Sequence, residues 1–183
     1  TFSELSKIAA KNPYAVDQTE YDAASLITPS KYNPVIIAPY TKKLIAKDRV
    51  NQGAAVLMTT VGKAKELGSA ADKWVYLHGY TNTNERVLLE RPALGKSDGM
   101  EQALIGALSN AGKTAEEIKH FDIYSCFPIV VSEAKRALNI KESDSRPMTQ
   151  TGGLPFFGGP GNNYSMHAIA SLVENLRKDS GSF

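Results

Sequence analysis

The chain of 183 residues, 42% hydrophobic and 22% charged, is long enough for one good core or two small ones. A formal net charge of +2, made of interleaved acids and bases, gives no electrostatic argument for nucleic acid or an anionic membrane. No apolar run approaches the roughly 20 residues of a membrane span, and the N-terminal TFSELSKIAAKN has no apolar signal core. The single cysteine, Cys126, excludes an internal disulfide and a multi-cysteine metal site, and it suits a reducing cytoplasm.

The chain opens without an initiating methionine, as though in the middle of a helix, and reads as a piece of a longer protein. Residues 3 to 11 form a short amphipathic helix with Leu5, Ile8 and Ala9 on one face, stopped by Asn12 and Pro13. Pro29, Pro34 and Pro39 break any pattern from Tyr14 to Tyr40, leaving a short extended piece at Val35–Ala38 and a helical turn in Lys42–Asp48. The run GAAVLMTT, Gly53 to Thr60, has the composition of a strand buried on both faces. Val61 to Leu67 is a helix stopped by Gly68, and Ser69 to Lys73 is a linker-like domain boundary.

Trp74 to Tyr80 is a β-branched and aromatic strand. A polar stretch leads to an amphipathic helix over Met100–Ala111 with Gly112 past its end, and Thr114 to Glu117 has capping-box form. Phe121 to Tyr124 is a short strand running into Ser125, Cys126 and Phe127, and Ile129 to Leu138 is helical, with Pro128 tolerated near its start. Arg146 to Thr151 is a further short strand, and Tyr164 to Lys178 is the last helix. Strands alternating with helices predict an α/β fold with a largely parallel sheet. Such folds place their chemistry where a strand turns into a helix. Two stretches meet that description, Tyr124–Phe127 and the glycine-rich run from Thr151 to Ala170.

Glycines 152, 153, 158, 159 and 161, with Pro155 and Pro160, preclude a regular element. A glycine-rich turn feeding a helix offers free N–H groups to an oxyanion or a phosphate, and the competing reading is a tight surface loop that changes chain direction. Cys126 sits where helix N-terminal N–H groups favour a thiolate, against the alternative of a small buried hydrophobe. His167, about one turn into the last helix, is a base facing a pocket or a histidine satisfied on a helix face. His78 and His120 have no acidic partner at a suggestive spacing. Three scattered histidines and one cysteine give zinc no support. No GK[ST] follows the glycines and no GxGxxG opens a helix, so neither a P-loop nor nicotinamide binding is supported.

Taken in order, these stretches resemble the thiolase superfamily, most of all the sterol-carrier-protein-type thiolases and the type-1 thiolase-like proteins, often labelled acetyl-CoA acetyltransferases. VNQGAAVLM, Val50 to Met58, followed by KAKELG, Lys63 to Gly68, resembles the closing strand and helix of a thiolase N-terminal domain. Tyr124 to Phe127 (YSCF) occupies the place of the family's Asn-Glu-Ala-Phe loop, which is His-Asp-Cys-Phe in the sterol-carrier type. Gly152 to Leu154 through Gly158, Gly159 and Pro160 is similar to the strand and loop that carry its Gly-His-Pro.

The resemblance implies a layered αβαβα fold with mixed, largely parallel sheets. Residues 1–68 would be the end of the N-terminal domain and residues 69–183 the C-terminal domain without its last strands. It implies Claisen-type condensation or thiolysis of a 3-ketoacyl-CoA, with Cys126 as the α-proton acid/base, Tyr124 as a donor, and His167 standing in for a missing imidazole. Ser125, Phe127, Gly158, Gly159, Pro160 and Asn162 would form the oxyanion and thioester loops. Gly159 stands where the family has its histidine, and the family's nucleophilic cysteine belongs to an N-terminal half not represented here. The expected substrate is an acyl-CoA thioester, with no covalently bound cofactor, no metal, no nucleic acid and no membrane. The protein is expected to be cytoplasmic, associating with a second copy or with that N-terminal half. A non-catalytic CoA-thioester-binding or scaffolding member is the alternative reading.

Overall fold

The computed structural model describes residues 1–183. Six helices carry most of the regular structure: α1 (Phe2–Lys11), α2 (Ala23–Ile27), α3 (Val61–Glu66), α4 (Asp98–Ala111), α5 (Pro128–Ala137) and α6 (Tyr164–Lys178). The one sheet is an antiparallel pair, β1 (Val35–Ile37) with β2 (Tyr40–Thr41). No helix is long and apolar enough to cross a membrane.

The helices follow the sequence closely, because local chemistry sets their ends. In α1 the buried face is Phe2, Leu5, Ser6 and Ala9. The Ser97 hydroxyl caps α4 by accepting from Met100 N–H, and Gly112 closes it in the left-handed conformation. Pro128 is the first residue of α5, where its missing N–H costs nothing. The capping box at Thr114 is formed, with Thr114 N–H donating to Glu117 Oε2 at 2.8 Å. The short helix α2 falls in the proline-broken stretch expected to be irregular, and Asp22 caps it by accepting from Ser25 N–H.

The strands depart from expectation. Gly53–Thr60, Trp74–Tyr80, Phe121–Tyr124 and Arg146–Thr151 belong to no ladder, so the largely parallel sheet is not formed. Apolar alternation makes a segment extended, but a strand needs a neighbouring backbone to bond to. Segment 121–124 makes one such bond, Ile123 N–H to Met148 carbonyl at 2.9 Å. Leu57, Met58, Leu77 and Tyr80 stand exposed along the unpaired segments. One side of residues 79–83 is covered by α4, and glycines permit the contact. A Cβ on Gly79 would collide with the Ala107 carbonyl, and one on Gly106 with Thr81.

The main core joins α1 to the C-terminal part: Phe2, Leu5, Leu26, Phe121, Val131, Met148 and Phe156 belong to one buried cluster. A second cluster, Leu154, Phe157, Tyr164 and Ala168, lies under the start of α6 with Cys126 packed against it. The glycine-rich stretch threads between the two clusters and is buried at every position from Thr151 to Gly159. It is therefore not the tight surface loop of the simpler reading. Gly152, at φ 114°, lies directly against α1, where a Cβ would overlap the Ala9 backbone. Gly152→Ala combines a strained φ with a backbone clash, and is expected to lower unfolding free energy by about 3 kcal/mol in urea titration. Gly161, also at positive φ but with open space around it, is expected to tolerate alanine with a loss of about 1 kcal/mol.

Candidate functional site

The site is built from two loops and the residues that fasten them. The first, Tyr124–Phe127, leaves the extended segment 121–124 and enters α5. Tyr124 is 46% exposed and stands edge-on to the Tyr164 ring, centroids 5.6 Å apart. Ser125 is fully buried, and its hydroxyl accepts the Leu154 N–H at 3.2 Å. Phe127 packs on Tyr40 of β2 at 5.2 Å between centroids. Cys126 is half-buried between them.

Two influences act on the Cys126 thiol in opposite directions. Burial disfavours the thiolate, while the N–H groups of Phe127 and of Cys126 itself stabilise it. Burial wins, and the pKa is raised. The expected helix-terminus activation is present but outweighed, so the resting group at neutral pH is the thiol.

The second loop is a self-satisfied piece of core. Gly152 and Gly153 donate to the Thr149 and Thr151 hydroxyls, and Phe156 and Phe157 both donate to the Gly153 carbonyl. Gly159 N–H donates to the Lys47 carbonyl at 2.7 Å, and Lys47 N–H returns a bond to the Leu154 carbonyl at 3.2 Å. Gly158 N–H has no protein acceptor. Pro160 and Asn162 form the more exposed outer end of the loop.

Asp122 underlies both loops. Its Oδ2 accepts from Thr149 Oγ1 (3.0 Å), Gln150 N (2.8 Å), Thr151 N (3.0 Å) and Thr151 Oγ1 (3.0 Å). Its Oδ1 accepts from Tyr164 Oη at 3.0 Å. Tyr164 is buried, and burial together with the neighbouring carboxylate pushes its hydroxyl pKa upward, keeping it a proton donor. Sequence reasoning did not single out Asp122, Thr149 or Thr151. The available signal was the two threonines two residues apart, hence on one side of an extended segment.

His167 is placed apart from Cys126, with no hydrogen bond between them. It lies over the Phe157 ring at 5.2 Å and lines a cavity of about 910 Å³ with Asn12, Tyr14 and Gln52, a cavity that none of residues 124–127 or 158–163 borders. Burial lowers its pKa, and its Nε2 is enclosed without a partner. No three His, Cys, Asp or Glu side chains come together in a way that could hold a metal ion. Ser125→Ala leaves the Leu154 N–H buried without an acceptor. Denaturant unfolding is expected to show a loss of about 2 kcal/mol with the secondary structure retained.

No protein-family model and no curated protein matches the chain. Among solved structures, it is similar to a monomeric SCP2-thiolase like protein type 1 from Mycobacterium smegmatis, with 44% identity and a TM-score of 0.93. The match covers 99% of this chain and 40% of that one, so the chain spans about two fifths of its relative's length. With that identity carried along nearly the whole chain, and with the YSCF and glycine loops fastened together inside it, the chain belongs to the thiolase superfamily, on its SCP2 side.

Proposed function

We propose that the chain contributes the acid/base cysteine and the loop framework of a thiolase-like acyl-CoA C-acyltransferase, which forms or thiolytically cleaves the C–C bond of a 3-ketoacyl-CoA. The observation that carries this reading is Cys126 itself. It stands at the entrance to α5, where the N–H groups of Phe127 and of Cys126 itself favour its thiolate, in a chain 44% identical to a thiolase-like protein. A thiol held protonated by its surroundings is suited to deliver a proton to an enolate carbon, and the thiolate left behind, met by those N–H groups, takes the proton back in the reverse direction. Tyr124, exposed on the same loop two residues before it, offers its hydroxyl as a donor. Gly158 N–H is the second-loop donor without a protein acceptor, but it is buried beside the Gln52 side chain, so it meets a thioester oxygen only if that side chain moves aside. Ser125, Phe127 and Gly159 hold the loops, and Pro160 and Asn162 border their outer end. His167 supplies a neutral imidazole on the far side of Phe157, so its participation needs approach past that ring.

The acyl carrier would be a cysteine in an N-terminal half corresponding to the rest of the relative's length. The unpaired extended segments with exposed Leu57, Met58, Leu77 and Tyr80 are the natural attachment for that half. Pairing with it is favoured over a homo-oligomer because the relative is monomeric. The substrate class is an acyl-CoA thioester, no covalent cofactor is called for, and the free cysteine fits the cytoplasm.

One observation favours the second reading, a non-catalytic CoA-thioester-binding or scaffolding protein. Gly159 stands in place of the family's histidine, and its N–H is already committed to Lys47. The two readings separate on acetoacetyl-CoA thiolysis by the chain co-expressed with a polypeptide equivalent to the remainder of the Mycobacterium smegmatis relative. Cys126→Ala is expected to reduce turnover by about 100-fold or more. Equal turnover in the mutant removes Cys126 from the mechanism, and saturable acetoacetyl-CoA binding with no turnover in either protein selects the scaffolding reading.

A further inference from the structure

We propose that Asp122 is the positioning residue for the Cys126 loop, fixing the two surfaces between which Tyr124, Ser125 and Cys126 are held. This rests on Cys126 being the working group of the site, but not on which reaction it serves.

The carboxylate reaches the loop by two routes. On one side, Oδ2 gathers Gln150 N–H, Thr151 N–H and both threonine hydroxyls within 2.8–3.0 Å. Those hydroxyls in turn accept from Gly152 and Gly153, setting a backbone turn at φ 114° and 79°. The next N–H, from Leu154, is thereby aimed at Ser125 Oγ, and Gly153 is brought so near that a Cβ would strike that same oxygen. On the other side, Oδ1 takes the Tyr164 hydroxyl, whose Oη also lies 2.7 Å from Thr151 Oγ1. The Tyr164 ring stands against Tyr124 and belongs to the cluster on which Cys126 packs. Asp122 itself lies four residues before Cys126 on the segment that delivers it. Loop, glycine turn and α6 are thus tied to one side chain.

A carboxylate offers only acceptors, which matches five converging donors. Asparagine has the same shape and can preserve the arrangement. Its carbonyl oxygen can keep the four donors of Oδ2, while its amide donates to Tyr164 Oη and the phenol proton turns to Thr151. Alanine can do neither. The influence on Cys126 is geometric rather than electrostatic: the forces on the thiol are burial and the two N–H groups, and the titratable side chains flanking it are Tyr124 and Tyr164. Loosening the loop admits water to the sulfur, relieves the burial that raises its pKa, and makes the thiol more reactive.

The test is the pH–rate profile of iodoacetamide alkylation of the native 183-residue chain, which has only this thiol. In Asp122→Ala the midpoint is expected to fall toward the ordinary thiol value of about 8.5, and the rate at pH 7 to rise about 10-fold or more. Asp122→Asn should restore the wild-type profile. Thr151→Val should move it in the same direction as alanine by a smaller amount, and it carries the test if Asp122→Ala does not fold. A residue that merely stabilises the fold would lower the melting temperature and leave the thiol profile in place. A wild-type profile in folded Asp122→Ala or Thr151→Val overturns the proposal. So does an Asp122→Asn shift as large as that of alanine, because charge would then be the cause. Thiolase turnover does not enter, so an absent enzymatic activity and a failed positioning role give different results.

Discussion

A loop without helix or strand can be buried only if it finds partners for most of the backbone polar groups it takes out of water. Thr151 to Gly159 is buried throughout, and this requirement shapes the molecule around it. Its carbonyls are met by Asn12 Nδ2, by Asp17 and Val16 N–H, by Gln52 Nε2 and by Lys47 N–H. Its N–H groups go to the Asp122 carboxylate, to threonine and serine hydroxyls, to its own turn and to the Lys47 carbonyl, with Gly158 N–H left over. The partners come from α1's exit, from the stretch between β2 and α3, and from the segment leading into α5. Elements far apart in sequence are therefore joined through the needs of one irregular segment, where a sheet ladder would ordinarily do the joining.

The same requirement limits the chemistry. A glycine-rich turn is a good oxyanion cradle when its N–H groups point outward and unspent. Here most are consumed inside, and what faces the outside is chiefly Cys126, Tyr124 and the outer end of the loop at Pro160 and Asn162. The functional weight of the glycines is thus indirect. Gly152 and Gly153 let the chain lie against α1 and Ser125, and the loop they make holds the cysteine at its depth. Depth, in turn, sets the protonation state of the thiol, because burial outweighs the two N–H groups. Packing and acid strength are one property at this site.

What could be read in the sequence and what could not divide along the same line. α1, α4, α5 and α6 were legible because caps, periodicity and proline placement are local. The thiolase likeness was legible in YSCF and in the spacing of the glycines, and the matching structure bears it out. The sheet was not, since composition marks an extended segment and says nothing about whether a second backbone lies beside it. Asp122 was not, because an aspartate between Phe121 and Ile123 looks like an exposed strand residue until Thr149, Thr151 and Tyr164 are brought to it. The sequence puts His167 on the last helix, about one turn past the glycine loop, with a pocket in front of that loop within its reach. Yet helix rotation decides which way a side chain looks, and Tyr164 and Ala168, four residues apart, take the face toward the Cys126 cluster.

That rotation explains the separation of the two titratable groups on physical grounds. A helix packed through positions 164 and 168 turns position 167 about 60° away from 164, onto the flank that meets Phe157 and Gln52. Moving the imidazole to Cys126 would require α6 to rotate, which would pull Tyr164 from Asp122 and Thr151 and expose a buried aromatic ring. The phenol–carboxylate bond alone, between a neutral donor and a charged acceptor, contributes about 1.5–3 kcal/mol. Uncovering the ring would add to that cost. The Tyr164 anchor therefore does two things with one contact. It fastens α6 to the loop that carries the cysteine, and it holds His167 on the flank of α6 that meets Phe157.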